Sequence, residues 1–250
     1  MQTATYEKKG KIAYITLNRP QKLNAINGAL TEEMGEIWKQ FKEDAEAWVA
    51  IVTGAGDNFC AGFDLSGGPP TVPGAQAILK TLPSTHEIWK PTIAAVKGYC
   101  LGGGWLIAQD CDMRVAAEDA QFGIPEPKWN LVTIFSGIFH RYLPPGLALE
   151  YLLVGDRISA GRAYEIGFVN RVVPKEQVMP VAEELAEKLS ANGPLGVQRA
   201  KELFYRGMEM NRQQAMGLTW HLFGEAAKLE DTEEGVKAFF EKRTPQFKGR

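Results

Sequence analysis

Apolar and polar positions change period several times along the chain, and each change marks an element. Tyr6 to Leu17 alternates around Lys9-Gly10-Lys11, which predicts a β-hairpin ended by Asn18-Arg19-Pro20. From about Ala29 to Trp48 the period becomes helical, with Leu30, Met34, Ile37, Trp38, Phe41 and Ala45 forming one apolar face. Val49 to Thr53 is an apolar run of strand length, bounded by Gly54-Ala55-Gly56-Asp57. The Gly/Pro-rich run Ser66 to Gly74 predicts a mobile loop or lid, and Ala75 to Ile88 a helix. Strands are predicted at Thr92–Val96, Cys111–Ala117 and Gln121–Ile124, the last followed by a loop at Pro125–Asn130.

Beyond about Ile134 the pattern is helical. Helices are predicted at Leu147–Val154, Ala160–Ile166, Val178–Leu189, Gly196–Met208, Gln213–Leu229 and Glu233–Lys242, interrupted by one strand at Phe168–Val173. Glycine-bounded strands that each lead into a loop and a helix indicate repeated β-β-α units, a mixed α/β architecture. Residues 191–250 carry Phe204, Met208, Met216, Leu218, Trp220, Leu222 and Phe223, more apolar surface than a few helices hide, so this end is expected to pack on a partner subunit.

Composition narrows the classes. At 250 residues, 45% apolar and 23% charged, the chain has the make-up of a globular protein with a large core. A net charge of −2 gives no general attraction to nucleic acid or an anionic membrane, so any anionic ligand must be held by local donors. No leader-like basic and apolar segment opens the sequence, no window has the apolar length of a membrane span, and a cytoplasmic location is expected. Cys60, Cys100 and Cys111 are odd in number and widely spaced, which argues against a disulfide framework or a metal site and for small core residues.

Candidate chemistry sits at two glycine turns. Thr92–Val96 runs on through Lys97-Gly98-Tyr99-Cys100-Leu101 into Gly102-Gly103-Gly104 and then the apolar Trp105-Leu106-Ile107-Ala108, read as strand, turn and helix N-terminus. The first N–H groups of a helix lack intrahelical partners, and glycine lets a ligand approach them. Phe59-Cys60-Ala61-Gly62-Phe63-Asp64-Leu65 makes a similar turn after the preceding strand. Two backbone donors converging on one oxygen would stabilise an oxyanion formed from a carbonyl substrate.

These turns, together with Ile51-Val52-Thr53-Gly54, Pro91 to Gly104, Cys111-Asp112 and Gln121-Phe122-Gly123-Ile124-Pro125-Glu126, resemble the enoyl-CoA hydratase/isomerase or crotonase family. Leu17-Asn18-Arg19-Pro20 with Leu23-Asn24-Ala25, and Phe239 to Phe247, resemble that family's two ends. The resemblance implies a crotonase-like spiral of β-β-α units over residues 1–190 and a helical oligomerisation region over residues 191–250, giving a homotrimer or a dimer of trimers. It also implies an acyl-CoA thioester as substrate, with no cofactor beyond its coenzyme A moiety. Carried over by position, the backbone N–H groups of Phe63 and Gly103 are the oxyanion donors. Lys22, Leu23, Ala25, Ala61 and Asp64 lie on the coenzyme A path, with Phe239 and Lys242 reaching it from a neighbouring subunit.

Two departures from the family pattern matter. Family hydratases carry one glutamate just after the triple-glycine turn and a second in the Pro125-Glu126 segment, and here the first position is Leu106. Glu126 is then the single acid/base, the arrangement of an enoyl-CoA isomerase, with hydration close behind; decarboxylation, thioester hydrolysis or binding without catalysis are the alternatives. Ser66 stands where the family often has a phosphate-binding lysine. Asp110, one turn beyond Leu106, is read as a surface residue rather than a replacement acid, and Trp129 as a hint of a broad acyl pocket.

Overall fold

The computed structural model describes residues 2–250. The hairpin forms as β1 (Ala4–Lys9) and β2 (Ile12–Leu17), with Lys9 opposite Ile12. The following strands are β3 (Val49–Gly54), β4 (Thr92–Val96), β5 (Tyr99–Leu101), β6 (Met113–Ala117), β7 (Gln121–Gly123), β8 (Arg157–Ser159) and β9 (Arg171–Val173). Six of them make one sheet in the order β1-β2-β3-β4-β6-β9, parallel at every pairing after the hairpin. β5, β7 and β8 make a second, small sheet. β3 and β4 are buried at every position, so their sequences are continuous apolar runs rather than alternating ones.

The two sheets explain the repeat. β4 enters the large sheet and β5 the small one; β6 and β7 do the same. β3 is followed by Cys60, which bridges to Cys100 of β5 in parallel, and Cys100 in turn pairs with Phe122 of β7. Three short segments are thereby stacked side by side, all pointing the same way. The split between β4 and β5 falls at Gly98, whose φ of +53° turns the chain, so one apolar run in sequence serves two sheets.

Helix α1 (Gly28–Glu43) starts where the Asn27 carboxamide oxygen accepts the Leu30 N–H at 3.0 Å. It ends at Asp44, short of Trp48, because the Asp44 carboxylate accepts the Glu46 N–H and the Lys90 ammonium takes the Phe41 and Asp44 carbonyls at 2.6 and 2.7 Å. The helix expected over Ala75–Ile88 is broken: α2 (Val72–Ala77) is capped by Thr71, and two 3-10 turns follow around Pro83, which has no N–H to continue a helix. Further along come α3 (Gly103–Asp110), the single turn α4 (Ser136–Phe139), α5 (Pro145–Val154), α6 (Ala160–Glu165) and α7 (Val178–Ser190). α7 packs on β3, β4 and β6 and closes the core on that side.

α8 (Pro194–Gly207), α9 (Arg212–Ala226) and α10 (Glu230–Glu241) complete the chain. α8 is tied to the sheet through Asp112, whose carboxylate accepts the Thr92 N–H at 2.7 Å, the Lys201 ammonium at 2.8 Å and the Tyr205 hydroxyl at 3.1 Å. Much of the outer face of these helices stays open, with Phe204, Trp220 and Phe223 each more than 60% exposed. Among the described residues no helix is long and apolar enough to cross a membrane.

Candidate active site

The site lies where the three stacked segments end. Cys60 donates its N–H to the Tyr99 carbonyl at 2.8 Å and accepts from the Leu101 N–H at 3.0 Å, and the Gly102 N–H reaches the Gly123 carbonyl at 2.9 Å. Just past these bonds come Gly62-Phe63, Gly102-Gly103 and Glu126, so strand stacking alone brings the three together. A methyl group placed on Gly62 would stand 3.6 Å from the Gly103 nitrogen, and one on Gly102 would stand 2.6 Å from Glu126 Oε1.

The Phe63 N–H donates to no described residue, although its neighbours on both sides are bonded: Ile26 donates to the Gly62 carbonyl at 2.8 Å and Asp64 to the Ile26 carbonyl at 2.9 Å. Gly103 opens α3, so its N–H is one of the helix's orphan donors and carries the positive end of the helix dipole. Gly102 holds φ at +50°, a backbone most side chains resist, and a side chain on Gly104 would strike the Cys60 carbonyl at 2.3 Å. The glycines thus allow the tight turn at Gly102 and the close approach of α3 to the neighbouring segment.

Glu126 begins a 3-10 turn after β7. Its Oε2 is buried without a hydrogen-bond partner, and desolvation pushes its pKa above the ordinary carboxylate value. Phe63, Gly103 and Glu126 all line one cavity of about 230 Å³. The rest of its wall comes from Pro70, Thr71, Val72 and Ala75 at the start of α2, and from Leu131, Val132, Ile134 and Phe135. The first part of this wall falls at the end of the Gly/Pro run expected as a loop, where Val72 to Gly74 instead begin α2; the second part carries no signal, because Leu131 to Phe135 has neither strand nor helix periodicity.

A second network braces the donor loop. Arg19 pairs with Asp64 at 2.9 Å, both side chains largely buried, and also donates to the Ala25 carbonyl. Ser66 and Arg19 hold the Asp64 carboxylate down to about 2, so it stays charged. Asn24, fully buried, accepts the Arg19 N–H at 2.9 Å and donates to the Ala55 and Asn58 carbonyls at 2.9 and 2.7 Å. Its φ of +55° is one that asparagine tolerates better than most residues. Arg19 and Asn24 fall in the segment that resembles the family's opening, but nothing in the sequence shows this bracing role, and Asn58 carries no signal beyond its place beside the turn.

The remaining expected site residues fall in several places. Ala61 donates its N–H to the Leu23 carbonyl at 3.0 Å, and Lys22 and Leu23 lie exposed in the same loop as Ala25. Asp64 faces Arg19 and Ser66 rather than open solvent. Phe239 and Lys242, at the end of α10, are exposed and do not line the cavity. Leu106 is buried and outside the cavity wall.

Asp110 is not a surface residue: its carboxylate accepts the Ser84 N–H and hydroxyl at 2.9 and 2.8 Å and lines a different cavity with Trp89 and Tyr205, so it does not replace the missing acid. Trp129 is 58% exposed and does not line this cavity, against the expectation that it shapes a pocket. The cysteines are buried, and burial pushes the thiols of Cys60 and Cys111 up to about 12, which leaves them neutral core residues.

Known proteins resemble the chain over its whole length. The family model for enoyl-CoA hydratase/isomerase matches residues 7–250. The chain is 37% identical to the (E)-benzylidenesuccinyl-CoA hydratase of Thauera aromatica, over 98% of each chain. It is also 37% identical to the short-chain-enoyl-CoA hydratase of Clostridium acetobutylicum, over 95% of this chain and 94% of that one. The crystal structure of an enoyl-CoA hydratase from Bacillus anthracis superposes with a TM-score of 0.93 at 34% identity, covering 100% of both chains. Matched from end to end in sequence and in fold, the chain belongs to the enoyl-CoA hydratase/isomerase family.

Proposed function

We propose that this protein adds water to, and removes it from, the double bond of an enoyl-CoA thioester, with Glu126 as the one acid/base. The observation that carries the reading is the meeting of two free backbone donors and one half-desolvated carboxylate in a single cavity. The thioester oxygen accepts the N–H groups of Phe63 and Gly103, which draws electrons from the double bond and stabilises the enolate that forms. Water bonds to the β-carbon as Glu126 takes its proton, and the same carboxyl returns a proton to the α-carbon as the enolate collapses. Each turnover leaves Glu126 as it began.

Double-bond migration is the second reading, favoured by Leu106. With no second carboxylate to hold a water, Glu126 can remove the proton from the α-carbon of a 3-enoyl thioester and return it to the γ-carbon. The relatives named above are hydratases, which supports hydration as the first reading. Both reactions should be followed on wild type and on Glu126→Gln. Loss of about 100-fold or more in kcat is expected for the variant, within the range for removing a general acid/base. Full activity of Glu126→Gln in both assays would remove Glu126 from the mechanism.

No cofactor other than the substrate's own coenzyme A is needed by either scheme. The coenzyme is expected to run past Lys22, Leu23 and Ala25, and the open apolar face of α8 and α9 supports a homotrimer in which Phe239 and Lys242 approach a neighbour's ligand.

A further inference from the structure

We infer that the acyl group taken by this site is uncharged and apolar, and that Phe135 limits its length. The inference rests on reading the Phe63–Gly103–Glu126 cavity as the acyl site. The cavity wall has one charged side chain, Glu126 itself; Thr71 supplies a hydroxyl, and the other side chains are aliphatic or aromatic. Cations near the wall are committed elsewhere: Arg19 to Asp64, the residue after Phe63, Lys80 to Glu32 at 2.6 Å and Lys128 to Asp156 at 2.6 Å. Arg157, from the neighbouring β8, lies over the Tyr99 ring. A carboxylate on the acyl chain would enter this wall with no cation to meet it and with Glu126 repelling it.

That separates the chain from one of its own relatives. The Thauera aromatica enzyme is named for a benzylidenesuccinyl thioester, an acyl group with a carboxylate of its own. Here the wall offers such a group no partner.

Length is set by the rigidity of one side of the wall. Val72, Val132 and Ile134 are 71%, 85% and 46% exposed and form an outer lip, whereas Phe135 is buried. Phe135 packs edge-on to Phe139 at 5.8 Å, Phe139 to Trp105 at 5.6 Å, and Trp105 stacks on Phe168 at 4.5 Å. An aromatic stack of this kind resists being pushed back, because each ring is already held by the next. A chain growing toward Phe135 therefore meets a stop, while one growing toward the lip meets open apolar surface.

The test is kcat/KM for trans-2-hexenoyl-CoA, for the same chain ending in a carboxylate, and for trans-2-decenoyl-CoA, on wild type, Phe135→Ala and Phe135→Leu. The carboxylate-ended substrate is expected to be about 100-fold poorer or worse, the scale of an uncompensated like-charge contact. The decenoyl to hexenoyl ratio is expected to rise about tenfold in Phe135→Ala and less in Phe135→Leu, which guards against misfolding of the smaller variant. Parity of the charged and uncharged substrates within about threefold overturns the charge argument, and a length ratio unchanged in both variants overturns the role of Phe135. If wild type turns over none of these, the hydratase reading falls, and calorimetry with hexanoyl-CoA against adipoyl-CoA tests the cavity by itself. Tighter binding of hexanoyl-CoA sustains the inference, and equal affinity overturns it.

Discussion

At the scale of single residues, Glu126 pays in stability for its place in the cavity. Burial raises its pKa, so the folded protein keeps a proton that the unfolded chain has already released once the pH passes the ordinary carboxylate value. Stability contributed by the protonated form is therefore lost as pH rises from that value through the raised one, and stays lost above it. Glu126→Gln, neutral at every pH, is expected to unfold at higher temperature than wild type at neutral pH, by about 1 kcal/mol in stability, and to lose that advantage in acid. Hydration, which uses the charged form, is expected to rise through the same raised value; calorimetric melts and a pH–rate profile check the two halves. A variant no more stable than wild type at pH 7 would mean that Oε2 is not left unsatisfied in solution.

At the scale of elements, the decisive unit is the junction between β5 and α3. Gly102 combines a φ of +50° with a Cβ position 2.6 Å from Glu126 Oε1, so one added methyl strains the backbone and displaces the carboxylate together. Gly102→Ala is expected to cost about 1–3 kcal/mol in urea unfolding and to lower kcat by more than tenfold, because an acid/base moved by an ångström loses its proton-transfer geometry. Retained kcat with reduced stability would separate the turn from the chemistry. The same junction shows what element prediction missed. The sequence predicts a strand at Thr92–Val96 and none at Tyr99–Leu101, because three residues between two glycine turns show no period of their own, and β8 carries no signal because only three residues pair and none is buried. Pro83 was the available sign that the helix over Ala75–Ile88 would break.

At the scale of the whole molecule, the chain leaves apolar surface open on more than one side. Phe204, Trp220 and Phe223 sit on α8 and α9, and Leu149, Leu153 and Val154 on α5, all more than half exposed. Patches of this kind mark association surfaces, and two different ones on one chain suit a ring of copies joined head to tail. Light scattering is expected to give a trimer or a multiple of one. Trp220→Glu with Phe223→Glu is expected to shift it toward monomer and to weaken coenzyme A binding, if Phe239 and Lys242 serve a neighbour's site. A stable monomeric wild type would remove that role from both residues.

The sequence alone determined the family, the two donor turns and the loss of one carboxylate at Leu106, because each is written in a short local pattern of glycines, strand residues and one glutamate. It also determined most helices, whose apolar period is local by nature. The tertiary structure decided what distant segments do to one another. Only the stacking of Cys60, Cys100 and Phe122 brings Phe63, Gly103 and Glu126 to one cavity. Only packing leaves Trp129 off the cavity wall, ties Asp110 to Ser84 and makes Phe135 a wall. Burial and partnership depend on which chain segments meet, and no periodicity within a single segment carries that information.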